Sequence, residues 1–562
     1  MTPDVKEKLP TGRAAKLPRH VRFFTRGSRK GLPAPVCPVT VERGIRIPMP
    51  DGTHQVADRY IPQVGEPCPT LLVRTPYGRG FPCSFMYGSL FAEQGFHVVL
   101  QSTRGTGGSG GTCEPFPDEA ADAQATMAWL RQQPWFNGSL ATIGASYLGF
   151  TQWALANDPP PELKAMVVQV SADDFYGFVY PGGAFAMEAT LTGVAAMLSQ
   201  DKGLRAFTGA VLRLLLTHRK VERTVPLVPG YQRAFGKRVG YLEDWLAHPA
   251  AGDPYWAQRR ADPDIESAPP VHLLGGWYDV VIDQTLDSYR RLRQAGRTVR
   301  LVVGPWNHTS GFNKAMPIIA GEALAWLRAH LTGSGEASGP TPVHVHVGEI
   351  GGQGQWRDLA DWPPPDAGVQ PWHLHADGTL TDAPGEGTSS FRYDPSDPTP
   401  SVGGPRMDSN GFGPRDNAKL EARADVLTFS GPVIGEPEEV IGPVSLRLRI
   451  RGSSSNFDVF ARLCDVDAKG RSWNICDGLL RLDGTRLTDA DGWTEIEVPM
   501  SATAHRFTAG HRLRVQVSGG AHPRWARNTG TAEQIATATT VRPVDIEIDH
   551  RETVLSLPVL RP

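Results

Sequence analysis

Residues 140–149 read Leu-Ala-Thr-Ile-Gly-Ala-Ser-Tyr-Leu-Gly. The run opens on a short apolar segment, Leu140–Gly144, of the kind that forms a strand buried on both faces. A helical pattern follows over Thr151–Asn157. A serine on a tight strand-to-helix turn has its hydroxyl lifted above the sheet edge. The next backbone N–H, that of Tyr147, then points to where an oxyanion would develop. Small neighbours are needed because the backbone is strained at such a turn. The usual spacing is Gly-x-Ser-x-Gly, and here the second glycine comes one residue late, at Gly149. A glycine-flanked serine is also an ordinary turn residue, so the reading depends on its surroundings.

Those surroundings have a βαβ rhythm. Thr70–Arg74, Phe96–Leu100 and Ala165–Val170 are further short, mostly β-branched apolar runs. Asp118–Arg131 reads as a helix with acidic residues in its first turn and an Ala125/Ala128/Trp129 face. Val41–Met49 and Val56–Ile61 flank Asp51-Gly52 as a hairpin. The rhythm stops near 175 and resumes near 270 with Val271–Leu274, an Ile282/Leu286/Tyr289 helical stripe closed by Gly296, and Val299–Val303. Alternating strands and helices of this kind predict an open, mostly parallel α/β sheet. The interruption at 176–268 reads as an inserted helical cap, with Leu204/Phe207/Val211/Leu214 on one face and a second helix over Tyr241–Ala247. Residues 333–342 have linker composition. Beyond them the apolar period changes to two, as in Val343–Val347, Val444–Ile450 and Phe457–Cys464, which predicts an all-β sandwich or jelly roll over 343–562. Residues 376–405, rich in Gly, Pro, Asp and Ser, read as a long surface loop, and residues 1–40 as a loosely ordered lead-in. The catalytic domain is thus expected over 41–175 and 269–332.

Composition narrows the function. The chain has 562 residues, enough for roughly three to four domains at about 150 residues each. Basic and acidic residues nearly balance, 57 against 59, which argues against nucleic-acid binding by phosphate attraction. The absence of a run of about 18 apolar residues argues against a membrane span. The N-terminus lacks the apolar core of a secretory signal, and the six cysteines are sparse and form no Cys-x-x-Cys pair. A reducing compartment, the cytoplasm, is expected. His344/His346 and His373/His375 place imidazoles in pairs without a suitable third ligand, so no metal is expected.

A serine hydroxyl needs a base, and the base an orienting carboxylate. In the order Ser, Asp, His the last two belong in loops after later strands. Asp279, in Gly275-Gly276-Trp277-Tyr278-Asp279, follows Val271–Leu274. His308, in Gly304-Pro305-Trp306-Asn307-His308, follows Val299–Val303. Both stand at C-terminal strand ends, where open α/β sheets place their sites. Arg74-Thr75-Pro76-Tyr77-Gly78 follows the first parallel strand, so the Tyr77 hydroxyl is a candidate oxyanion donor.

Taken with TRGTGGSGG (103–111), QPWFNG (133–138) and the C-terminal LRLRI…DVFARLCDV, these motifs resemble the cocaine esterase / X-Pro dipeptidyl-peptidase family of serine hydrolases from about residue 41 onward. The resemblance implies an α/β-hydrolase domain, a helical cap and a C-terminal jelly roll. It implies Ser146 as nucleophile, Asp279 as triad acid, His308 as base, and an oxyanion hole made by the Tyr77 hydroxyl and the Tyr147 N–H. It implies no metal or organic cofactor. Two departures stand out. Before TRG the family commonly carries an aspartate, where this chain has Ser102. Members acting on α-amino acyl groups hold the ammonium with carboxylates, which in the ester-hydrolase branch closely follow the triad acid; here the sequence is Val280-Val281-Ile282. An ammonium would lack a counter-charge there. Val281, with Phe178 and Tyr180 at the start of the cap, is instead a candidate wall for an apolar group. The expectation is an ester hydrolase acting on a small-molecule ester or amide, with an X-Pro dipeptidyl-peptidase, an acyltransferase and a non-enzymatic ligand-binding protein as alternatives. Oligomeric state is open, a homodimer being the assembly considered.

Overall fold

The computed structural model describes residues 29–65, 67–199, 221, 224–312, 314–334, 339–407, 411–485 and 488–561. The expected face Leu204/Phe207/Val211/Leu214 and most of the lead-in lie outside these residues. The N-terminal half is a sheet of β1 (Val39–Pro48), β2 (His54–Pro62), β3 (Thr70–Thr75), β4 (His97–Ser102), β5 (Leu140–Ala145), β6 (Leu163–Gln169), β7 (Val271–Gly276) and β8 (Val299–Gly304), in spatial order 1-2-4-3-5-6-7-8. β1 and β2 form the hairpin, with Pro48 opposite His54 and Gly52 at φ 81° in the turn. β2 meets β4 antiparallel, and from β4 to β8 every pairing is parallel.

Each residue of β3, β4, β7 and β8 is buried, because helices cover both faces. Alternation divides the side chains: Leu72 and Val99 join the core on one face, Leu71, Val73, Val98 and Leu100 that on the other. The first face carries α1 (Glu119–Leu130) and α2 (Tyr147–Leu155). The cap supplies α3 (Met187–Leu198), α4 (Leu227–Phe235) and α5 (Gly240–Ala247). The chain then returns through α6 (Ile282–Gln294) on the first face and α7 (Met316–Leu331) on the second.

Three local expectations are corrected. The buried side of α1 is Glu119, Asp122, Ala123, Thr126, Met127 and Leu130; of the expected face, Ala125 and Trp129 are partly buried against the core and Ala128 is exposed. Polar residues are buried there because they are paired: Thr126 bonds Gln101, and Asp122 holds Arg104. Val343–Glu349 is β9, which pairs in parallel with β8 and so extends the catalytic sheet; β10 (Gln355–Leu359) lies on it. The surface loop expected at 376–405 contains a strand, Thr388–Tyr393, that buries Phe391 and Tyr393 against the β domain.

The C-terminal domain consists of β11 (Gly368–Leu374), β12 (Leu380–Thr381), β13 (Thr388–Tyr393), β14 (Val426–Val433), β15 (Glu438–Gly452), β16 (Asn456–Val466), β17 (Ser472–Asp483), β18 (Thr494–Phe507), β19 (Arg512–Ser518) and β20 (Val544–Leu560). β14-β19-β16-β17 is one sheet. The other, through β18-β15-β20-β11, joins the catalytic sheet where β18 meets β9 at His505↔Gly348. Leu446, Val498 and Ile548 from one sheet and Val459, Leu463 and Val515 from the other share one core.

Candidate active site

Tyr77, Ser146, Asp279 and His308 each follow a parallel strand at its C-terminal end, β3, β5, β7 and β8 in turn. Ser146 sits at φ 59°, ψ −124°, a conformation that costs an L-residue about 1–3 kcal/mol. Neighbours hold it. Its N–H donates to the Gln169 carbonyl at 3.0 Å, its carbonyl accepts from Ser171 Oγ at 2.8 Å, and the Ala145 N–H donates to the Tyr87 hydroxyl at 3.1 Å. The glycine spacing has a steric cause. A Cβ on Gly144 would lie 2.4 Å from Leu148 Cβ, and one on Gly149 would lie 2.3 Å from Ser171 Cβ. Leu148, at the usual glycine position, packs over Gly144, and Gly149 is the point where α2 crosses the exit of β6.

Tyr147 turns its side chain beneath the turn. Its hydroxyl donates to Glu119 Oε1 at 2.9 Å and accepts from the Phe116 N–H at 3.0 Å, and its ring stacks on Phe116 at 4.6 Å. Glu119 pairs with Arg74 at 2.9 Å, both side chains being buried. Burial raises the Glu119 carboxyl above its ordinary value, with the Arg74 charge opposing the shift. The sequence offered Glu119 only as a first-turn acid of α1, and nothing in its spacing marks it as an anchor.

Tyr77 lines one cavity together with Ser146 and Tyr147. Burial pushes its phenol pKa up, so it stays a proton donor at neutral pH. Asp279 is buried and accepts from the Val281 N–H at 2.8 Å, while its Oδ2 lies 3.0 Å from His308 Nδ1. The two loops are tied together, since the Tyr278 N–H donates to the Trp306 carbonyl at 2.9 Å. β9 supports them from outside: Trp277 Nε1 donates to the His346 carbonyl at 2.7 Å. His308 Nε2 is a buried nitrogen without a hydrogen-bond partner among the described residues.

Ser146 and His308 line one cavity of about 70 Å³. Phe178 and Val281 line it with them. Tyr180 does not: its hydroxyl donates to the Trp245 carbonyl at 2.9 Å and its ring packs against Phe185 and Trp256 inside the cap. Sequence reasoning missed Phe116, Phe150, Phe175, Trp245, Thr190 and Met407, which also line the cavity. They come from six separate segments, that of Met407 in the β domain, so no local pattern joins them. None of the described lining residues is Asp, Glu, Lys or Arg. At the Ser102 departure, Ser102 Oγ accepts from Arg79 Nη1 at 2.6 Å, and the carboxylate facing Arg79 is that of Asp58, at 3.3 Å.

Strand order, helix layers and this constellation define the class: an α/β-hydrolase-fold serine hydrolase with a C-terminal β domain. The comparisons then give the family. The model of the X-Pro dipeptidyl-peptidase (S15 family) matches residues 51–310, and that of the X-Pro dipeptidyl-peptidase C-terminal non-catalytic domain matches residues 341–553. Cocaine esterase from Rhodococcus sp. (strain MB1 Bresler) is 32% identical over 541 residues, 88% of this chain and 94% of that protein. The chain belongs to this family of hydrolases. Among solved structures, an α-amino acid ester hydrolase superposes with a TM-score of 0.78 at 21% identity over 94% of this chain and 98% of that one. An aminopeptidase from the marine sediment archaeon Thaumarchaeota archaeon gives 0.78 at 21% identity over 100% of both chains. At that identity the likeness speaks to the fold alone.

Proposed function

We propose that the chain hydrolyses carboxylic esters whose acyl group is small and apolar, with Ser146 as nucleophile, His308 as base and Asp279 as the orienting acid. The cavity carries this reading: Ser146 and His308 open onto a narrow space walled by Phe116, Phe150, Phe178, Val281 and Met407, with no Asp, Glu, Lys or Arg lining it among the described residues. His308 Nε2 takes the Ser146 proton as the hydroxyl attacks the ester carbonyl. The oxyanion is met by the Tyr77 hydroxyl and the Tyr147 N–H. Asp279 fixes the imidazole tautomer and stabilises the imidazolium. The proton passes from His308 to the departing alcohol, leaving an acyl-enzyme. Water, deprotonated by His308, then releases the acid and restores Ser146.

The lining also separates this reading from an X-Pro peptidase. Among the described residues no carboxylate lines the space, so a free N-terminal ammonium held against them would be desolvated without a counter-charge from them, a cost of several kcal/mol or so. The cysteines are sparse in the sequence and form no Cys-x-x-Cys pair, which supports a reducing compartment, the cytoplasm.

A panel of p-nitrophenyl acetate, butanoate and Gly-Pro-p-nitroanilide tests the assignment. The esters should be turned over by wild type and not by Ser146→Ala, with the anilide left intact. Faster cleavage of the anilide than of either ester would move the chain to the peptidases, and esterase activity surviving in Ser146→Ala would remove the nucleophile assignment.

A further inference from the structure

One β-domain residue touches both other parts of the molecule beside the cavity. The Arg406 backbone N–H donates to the Tyr278 carbonyl at 3.2 Å. Tyr278 immediately precedes Asp279, and its own N–H bonds the carbonyl of Trp306, two residues before His308. The Arg406 side chain runs the other way, into the cap. Its Nε donates to Glu188 Oε1 at 2.9 Å and its Nη2 to Glu188 Oε2, a two-pronged pair with Glu188 buried. Glu188 lies in the first turn of α3, whose Thr190, Gly193, Val194 and Met197 form one wall of the cavity. The next residue, Met407, enters the same cavity and packs with Ala186 and Ala189 at the start of α3.

We propose that Arg406 is a positioning residue that sets the distance between the cap wall and the nucleophile, and so selects the acyl group. This rests on the ester-hydrolase reading above. The physical argument is one of division. The backbone bond to Tyr278 survives any side-chain substitution, so the Asp279 and His308 loops keep their support. The guanidinium fork is what fixes α3, and a fork matched to a carboxylate constrains both distance and angle. With the fork removed, α3 keeps its helix but loses its stop. An acetyl group, with a single methyl beyond the carbonyl, has little to lose from a displaced wall. A butanoyl group, which must pack against it, loses contacts formed in the ground state and the transition state alike, and such a loss appears in KM.

The test compares Arg406→Gln, Glu188→Gln, their double variant and Arg406→Lys on p-nitrophenyl acetate and butanoate. Each Gln variant should raise KM for the butanoate about fivefold or more, with acetate kcat within about twofold of wild type. The double variant should add nothing to Arg406→Gln alone, because that variant has already lost the bond that Glu188→Gln removes. Arg406→Lys should recover part of the butanoate KM. Equal losses on both esters, an unchanged butanoate KM, or additive effects in the double variant would overturn the proposal. Should Arg406→Gln fail to fold, Glu188→Gln and Arg406→Lys carry the same comparison. Wild-type turnover reports on the function itself. If neither ester is a substrate, rates of Ser146 labelling by methyl and butyl fluorophosphonates across the same variants give the chain-length comparison without it.

Discussion

At the scale of single residues, the site depends on where two donors point. The Tyr147 N–H is fixed by the turn and cannot be removed by changing a side chain. The Tyr77 hydroxyl can. With Tyr77 as the proposed oxyanion donor, Tyr77→Phe keeps the ring in the cavity wall and deletes one proton donor, and the loss of such a donor costs about 10²-fold in kcat. Steady-state kinetics on a p-nitrophenyl ester should show that fall with little change in KM, since the charge it meets exists only in the transition state. The same scale shows what the sequence could carry. Ser146, Asp279 and His308 were legible because each follows a strand whose apolar run is unmistakable. Phe178 and Val281 line the cavity with Ser146, whereas Tyr180, two positions beyond Phe178, packs within the cap and borders a neighbouring cavity that Phe178 and Asp279 also line. The difference is one of direction within the short helix Phe175–Val179 and the turn after it, and residue type does not encode it.

At the scale of elements, the turn between β5 and α2 is held by close approach. Gly149→Ala would place a Cβ 2.3 Å from Ser171 Cβ and 2.5 Å from its Oγ, the hydroxyl that bonds the Ser146 carbonyl. Either α2 moves off β6 or Ser171 gives up that bond. The substitution should cost about 1–3 kcal/mol of stability and reduce turnover as well, seen as a lowered Tm together with slower ester hydrolysis; an unchanged Tm would show that the helix has room to spare. Strands β3 to β8 were readable because burial on both faces demands continuous apolar runs. The face of α1 was not, because its buried positions include Asp122 and Thr126, whose partners Arg104 and Gln101 come from other segments. β9 was assigned to the β domain because an alternating run carries no mark of which sheet it will join.

At the scale of the whole molecule, the β domain is part of the site. Its own core holds Asp477 against Arg462 at 2.8 Å, both fully buried, with Arg524 as a second partner. Burial pushes the Asp477 carboxyl up, and Arg524 and Arg462 more than cancel that, leaving it below the ordinary value. A depressed carboxyl stabilises the fold fully above its unfolded value, about 4, and the contribution falls away as acid protonates the folded form. Asp477→Ala should cost about 3–5 kcal/mol near neutral pH by leaving Arg462 charged and buried, and the deficit should shrink as the pH drops below about 4. Denaturant unfolding at a series of pH values measures both. The Arg524 carbonyl also accepts from the Glu188 N–H at 3.4 Å, so damage here should reach the cap.

The sequence by itself determined the alternation of strands and helices from β3 to β8 and the residues that follow β3, β5, β7 and β8, because covalent neighbours and hydrophobic period are local properties. Only the tertiary structure decided which side chains share the cavity, that Met407 reaches it from the β domain while Arg406 clasps Glu188 beside it, and that no Asp, Glu, Lys or Arg lines it among those described. Contacts between segments far apart along the chain arise from packing, and packing is settled by the shapes of all the pieces together.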